Sequence, residues 1–215
     1  MLQSSRQPCY ESRCPGNYMT IVRDSDSIKE SFLIDASRSV PSKLLPPRTS
    51  HETKDRRNNL NIITKKGEIN ADIEIVESSR TTTFRVDIRS RGDINIHLHL
   101  PGTISPNSDE RPGPLCLMDV YSSSGDIYLW VPPKRLEGPL NVKARDVGFS
   151  DALSKDMNTF IEKGKRREYF IGNFTAWSEG AGDVIKLKAK AGTVYVQYTG
   201  ETPSIKVSPV ECITA

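Results

Sequence analysis

After Gly92, apolar residues fall at Ile94, Ile96, Leu98 and Leu100, and polar or charged residues fill the positions between. A period of two puts the four apolar side chains on one face of a strand. The same arrangement recurs along the chain. Gly67 precedes Ile69, Ala71, Ile73 and Ile75; Gly125 precedes Ile127, Leu129 and Val131; Gly192 precedes Val194, Val196 and Tyr198. The residue after each glycine is polar: Glu68, Asp93, Asp126 and Thr193. A matching run enters each turn, through Leu60 and Ile62, Val86 and Ile88, Met118 and Val120, and Ile185 and Leu187. The chain therefore repeats one unit: entry strand, polar turn with glycine, exit strand.

Glycine at these turns is expected to supply a positive φ, which costs it little and β-branched residues much. A fifth, degenerate unit runs from Leu140 to Gly148, with a weak exit strand. Gly67, Gly92, Gly125, Gly148 and Gly192 are thus the expected structural turns. A single unit cannot bury its own apolar face, but stacked units share one core. The expected fold is all-β, a short parallel β-solenoid of about five glycine-centred units. A β-sandwich of hairpin-like units is the alternative. Strand pairing separates the two. A solenoid pairs equivalent strands of different units in parallel, whereas a sandwich pairs the two strands of one unit antiparallel across Gly92.

Between the repeats the chain reads as follows. Residues 1–30 are polar and irregular, as in a disordered tail. Residues 31–59 hold a short apolar run at Phe32-Leu33-Ile34, then an extended stretch with Pro41, Pro46 and Pro47, then a charged linker. They read as a proline-rich cap and linker. The repeat domain spans 60–199, with an insertion at 149–180. Leu153, Met157, Phe160 and Ile161 have helical spacing, so the insertion is expected to hold a short helix. Residues 200–215 form a C-terminal tail with room for one edge strand.

Charge and cysteine content narrow the classes. Thirty basic and 27 acidic residues leave a net charge of +3, which calls for no nucleic acid as partner. Four scattered cysteines are too few for a disulfide framework. No stretch has the apolar length of a signal peptide core or a membrane span. The expected compartment is the cytoplasm, and the basic run Lys163–Arg167 offers nuclear import as an addition.

The order Phe32-Leu33-Ile34-Asp35, Leu44-Leu45-Pro46-Pro47, repeated turn–Gly–Ile units and Tyr169-Phe170-Ile171-Gly172 resembles an uncharacterised fungal repeat-domain family of unknown function. Its repeat is similar to the bacterial putative-adhesin and head-domain families. The resemblance covers residues 32–199. It implies a right-handed β-solenoid with rungs of short strands, and it supplies no activity.

Candidate chemistry lies on the outward strand positions. Tyr128, Trp130 and Tyr195 face away from the core and line up as an aromatic strip if their strands stack. Such strips bind proteins or carbohydrate. The plainer expectation is that the insertion or the N-terminal segment covers them. His97 and His99 share the outer face of one strand at a metal-ligand spacing, against the plainer reading of a solvated face. The remaining histidine, His51, stands in the charged linker. Arg91-Gly92-Asp93 spells an integrin-binding tripeptide, but the repeat already explains its last two residues. Ser122-Ser123-Ser124 has no histidine placed to activate it, and serines suit the turn. No phosphate-binding glycine loop or paired-cysteine metal motif is present.

The expected function is a non-enzymatic scaffold or protein-interaction module with an unknown protein partner. A carbohydrate-binding module using the same rings is the first alternative, and a metal-dependent enzyme at His97 and His99 the second. No catalytic residue and no cofactor are assigned. An exposed sheet edge makes a homodimer a candidate assembly.

Overall fold

The computed structural model describes residues 14–54, 56–76, 82–101, 114–174, 182–201 and 206–207. The protein is all-β, with two mostly parallel sheets and no closed barrel. Its strands come in pairs along the chain: β1 (Met19–Arg23) and β2 (Ile28–Ile34), β3 (Leu60–Thr64) and β4 (Ile69–Ile75), β5 (Thr83–Ser90) and β6 (Ile94–His99), β7 (Leu115–Ser122) and β8 (Ile127–Val131), β9 (Gly138–Lys143) and β10 (Asp146–Phe149). A short helix α1 (Asp151–Lys155) and a hairpin of β11 (Met157–Lys163) and β12 (Arg166–Ile171) follow. The pair β13 (Val184–Ala189) and β14 (Thr193–Tyr198) comes last, before a two-residue strand β15 (Lys206–Val207).

The two strands of a pair lie in different sheets. One sheet has the order β1-β3-β5-β7-β13-β9-β12-β11, the other β15-β10-β14-β8-β6-β4-β2. Equivalent strands of different pairs lie side by side in parallel. Ile69 is opposite Ile94, Ile94 opposite Ile127, and Ile127 opposite Val194. Parallel neighbours need a crossover connection, and here each crossover is a strand of the other sheet. The inward residues of both sheets form one apolar cluster, and Ile69, Ile94, Ile127 and Val194 are fully buried in it. Each buried Ile, Leu or Val contributes about 1.5–3 kcal/mol.

The stacking order departs from the chain order. The last pair, β13 and β14, lies between β7/β8 and β9/β10 in both sheets. Asp183, at its entrance, is 2% exposed. Its Oδ1 accepts the Cys116 N–H at 2.7 Å, and its Oδ2 accepts the Glu137 N–H at 2.9 Å. One carboxylate thus latches the last pair to the layers on both sides.

Glycine serves the turns by a different cause from the one expected. Gly67, Gly92, Gly125 and Gly192 do not have positive φ. Gly67, Gly125 and Gly192 are stacked too closely for a side chain, and Gly92 has a tight 3.0 Å approach to the Gly67 oxygen. A Cβ on Gly125 would lie 2.3 Å from the Gly92 carbonyl carbon, and one on Gly192 would lie 2.2 Å from the Gly125 oxygen. Hydroxyls tie the same turns together. The Ser122 Oγ–H donates to the Gly92 oxygen at 2.8 Å, while Ser122 Oγ accepts the Gly125 N–H at 2.9 Å. Ser90 makes the equivalent bonds with Gly67 and Gly92. Asp93 Oδ1 accepts the Asp126 N–H, and Asp126 Oδ1 accepts the Thr193 N–H. These bonds employ Gly92 and Asp93 of the Arg-Gly-Asp tripeptide in the stacking itself.

Four other expectations are corrected. Gly148 is not a turn residue; it lies within β10, opposite Tyr195, and the turn of that unit falls at Ala144-Arg145. The tail expected over 1–30 gives way to strand from Met19, because β1 and β2 pair with β3 and β4 as the end layer. The cap and linker at 31–59 therefore begins after Ile34. The short helix expected within Asp151 to Phe160 is present but ends at Lys155. Thr159, Phe160 and Ile161 favour strand, and Gly164, at φ +59°, closes their hairpin. Residues 102–113 of the proline-bearing loop, Cys9, Trp177 and Cys212 lie outside the described residues.

Candidate functional site

The outer face of the seven-stranded sheet collects the outward residues at fixed offsets from the stacked glycines. Three residues after each glycine come Asn70, Asn95, Tyr128 and Tyr195, which lie opposite one another across β4, β6, β8 and β14. Five residues after each come Asp72, His97, Trp130 and Gln197, in the neighbouring row. In-register parallel pairing makes each offset a row across the sheet.

The rings form a continuous strip. Tyr195 and Tyr128 stack with centroids 4.8 Å apart and planes 17° apart. Tyr128 and Trp130 are 6.1 Å apart at 21°, and Trp130 and His97 are 4.2 Å apart at 4°. Beyond the rings, Asn95 Nδ2 donates to Asn70 Oδ1 at 2.7 Å. A groove of about 590 Å³ continues from His97 over Asn95, Asn70 and Asp72 towards Lys29 and Ser31.

Tyr128, Trp130 and Tyr195 are half-buried. The described strands of the insertion extend the other sheet, and the N-terminal strands form the end layer. The neighbours that half-bury the three rings include one another and His97. Burial raises the Tyr128 phenol above its ordinary value, helped by Asp126, Tyr195 and Asp93. The hydroxyl is therefore a neutral donor and acceptor at physiological pH.

His97 belongs with the aromatic residues. It shares its offset with Trp130, and that offset was the signal for grouping them. His99 points the same way, but its Nε2 lies 2.7 Å from Asp72 Oδ1. His51 lines a cleft on the opposite sheet, so the three histidines do not converge. Among the described residues, no group of three His, Cys, Asp or Glu side chains is placed to hold a metal ion. Lys163–Arg167 forms the tip of the β11–β12 hairpin, where Arg166 pairs with Glu168 and Arg167 with Glu162.

Burial pushes the His97 imidazole below its ordinary value of 6.5, and nearby His99 adds to this against the opposing pull of Asp72. A neutral ring keeps its flat contact with Trp130 without desolvating a charge. The unfolded chain then binds the proton more readily than the folded one. His97's contribution to stability is present above pH 6.5 and is lost as pH falls through the lower folded value. Proton NMR titration of His97 is expected to give a midpoint below 6.5; a midpoint at or above it would contradict this account.

No curated protein and no solved structure matches the chain. The family model described as "Domain of unknown function (DUF7330)" matches residues 17–201, and the chain belongs to that family.

Proposed function

We propose that this chain is a non-enzymatic interaction module, built as a short right-handed β-solenoid, that docks a protein partner on the outer face of its seven-stranded sheet. Parallel pairing of equivalent strands supports the solenoid reading. Parallel crossovers are right-handed in nearly all proteins, which supports the hand.

The orientation of the rings carries the functional reading. Neighbouring planes lie within 21° of each other with centroids 4.2–6.1 Å apart, so the rings stack on one another and present edges and polar tips outward. A sugar ring stacks on an exposed aromatic face, and each of these rings already spends a face on a neighbouring ring. Protein interfaces favour Tyr and Trp in this amphipathic role, with a few such residues carrying most of the energy. The carbohydrate reading is therefore second to the protein one.

The test compares the intact domain with the Tyr128→Ala, Trp130→Ala, Tyr195→Ala triple variant in a quantitative pull-down from cell extract. Partner recovery is expected to fall at least about tenfold, as for loss of a central aromatic cluster. Lost stacking costs about 0.5–1.5 kcal/mol per ring pair, so a thermal melt must show the variant folded. Unchanged recovery from a folded variant would remove the role given to this face. Hits on a glycan array that the triple variant loses would favour the carbohydrate reading instead.

A further inference from the structure

The outer face of the other sheet carries different chemistry. The segment between β2 and β3 folds back against it, so that Asp87 on β5 is only 3% exposed although it points away from the core. Glu52 shapes this strap. Its Oε2 accepts the Thr49 N–H and its Oε1 the Asn58 N–H, both at 2.8 Å. Burial alone would raise the Glu52 carboxyl, but bonds from Asn58, Thr49 and Asn61, with the nearby Arg57 charge, outweigh it and hold the acid below its ordinary value. At the tip, Thr53 and Arg56 exchange backbone bonds of 3.2 and 3.3 Å.

Strap and sheet enclose a cleft of about 350 Å³. Arg56 reaches it from the strap, Arg85 and Arg89 from β5, and Lys186 from β13, with Asp87 and Asp119 as its carboxylates. Arg89 touches both acids: its Nε lies 2.9 Å from Asp87 Oδ1 and its Nη2 lies 3.9 Å from Asp119 Oδ1. Lys186 lies opposite Asp119 in the sheet. Burial raises the Asp87 carboxyl above its ordinary value and Asp119 adds to this, against the opposing pull of Arg89; His51 is also on the lining. Arg56, Arg85 and Lys186 have no side-chain hydrogen bond or ion pair among the described residues. Burial depresses Arg85, and the like charge of Arg56 depresses it further. Among the described residues the lining carries four cationic side chains, Arg56, Arg85, Arg89 and Lys186, against two carboxylates, an excess of positive charge that draws an anion.

We propose that this cleft binds a tetrahedral oxyanion, a phosphate or sulfate group, between Arg56, Arg85 and Lys186. Guanidinium forks match the paired oxygens of such a group, and Lys186 adds a point charge. The site is independent of the aromatic face and lies on the opposite sheet.

Calorimetric titration of the full chain with inorganic phosphate, sulfate and O-phosphoserine tests it, with chloride as control. One oxyanion is expected to bind per chain with a Kd of about 1 mM or tighter at low salt, weakening as salt is added. Tighter binding of phosphoserine than of phosphate would identify the source as a phosphomonoester, and the reverse as the free ion. Arg56→Gln and Arg85→Gln are each expected to weaken binding at least about tenfold, the value of one lost charge-assisted pair, whereas Arg166→Gln on the hairpin leaves it unchanged. Nε–H resonances of Arg56 and Arg85 should shift on titration of the unaltered chain, a readout that needs no variant. No saturable binding, or equal binding by the Arg85→Gln chain, would overturn the proposal.

Discussion

Gly125→Ala is expected to lower the stability of the protein by about 3 kcal/mol, near the upper end for an overpacked site. The added methyl would lie 2.3 Å from the Gly92 carbonyl carbon and 2.4 Å from the Asp93 N. Both neighbours are backbone, held by Ser122, Asp93 and the next layer, so neither can move alone. Gly125→Asn discriminates the cause. Asn tolerates a left-handed conformation, so it would rescue a turn that needed positive φ. It is no smaller at Cβ, so close stacking makes it as damaging as Ala. Gly164→Ala is the reverse control. Gly164 has φ +59° and nothing within 4 Å of its Cβ position, so its cost is conformational, about 1 kcal/mol. Urea unfolding of the three variants measures all of this, and an Asn variant much more stable than the Ala one would restore the conformational explanation.

Asp183→Ala is expected to cost about 3–5 kcal/mol. It removes the bonds that the Cys116 and Glu137 N–H groups make to the buried carboxyl, at about 1–3 kcal/mol each. Against a total stability of about 5–15 kcal/mol, that loss brings the fold close to unfolding. The position makes it severe. β13 and β14 are central strands of both sheets, although they come last in the described pairs. Until they arrive, β7 and β9 have no partner on the sides that face each other. A chain lacking this latch is expected to lose protection from hydrogen exchange on β9 and β10 before β5 and β6. Uniform loss across all layers would contradict the latch role, and so would a cost below about 1 kcal/mol.

The sequence foretells faces better than neighbours. Alternation places Ile69, Ile94, Ile127 and Val194 inward, and all four are buried. It cannot tell whether β7 sits beside β9 or β13, because Leu140 and Ile185 satisfy the same inward pattern. That choice is made by Asp183 and by Gly138, where a Cβ would lie 2.1 Å from the Asp183 oxygen. The first layer is hidden in the sequence for a related reason. Arg23 and Glu30 occupy inward registers opposite Thr64 and Ala71, where apolar residues are expected. They form a 2.7 Å ion pair at the open end of the pile, where the interior side meets water.

At the aromatic face, Tyr128, Trp130 and Tyr195 were readable from alternation alone. His97 joins them through its offset from Gly92, which a metal reading of the His-x-His pair obscures. The cationic cleft was not readable, since no local pattern says that residues 48–59 fold back over β5. Arg85 and Lys186 look like ordinary outward charges until the strap lies beside them.

Cross-strand nuclear Overhauser contacts test the stacked-layer arrangement most directly. The account predicts backbone contacts linking Ile94 to Ile127 and Ile127 to Val194, running in the same direction along each strand. Contacts joining Ile88 to Ile94 across Gly92 in an antiparallel ladder would contradict it.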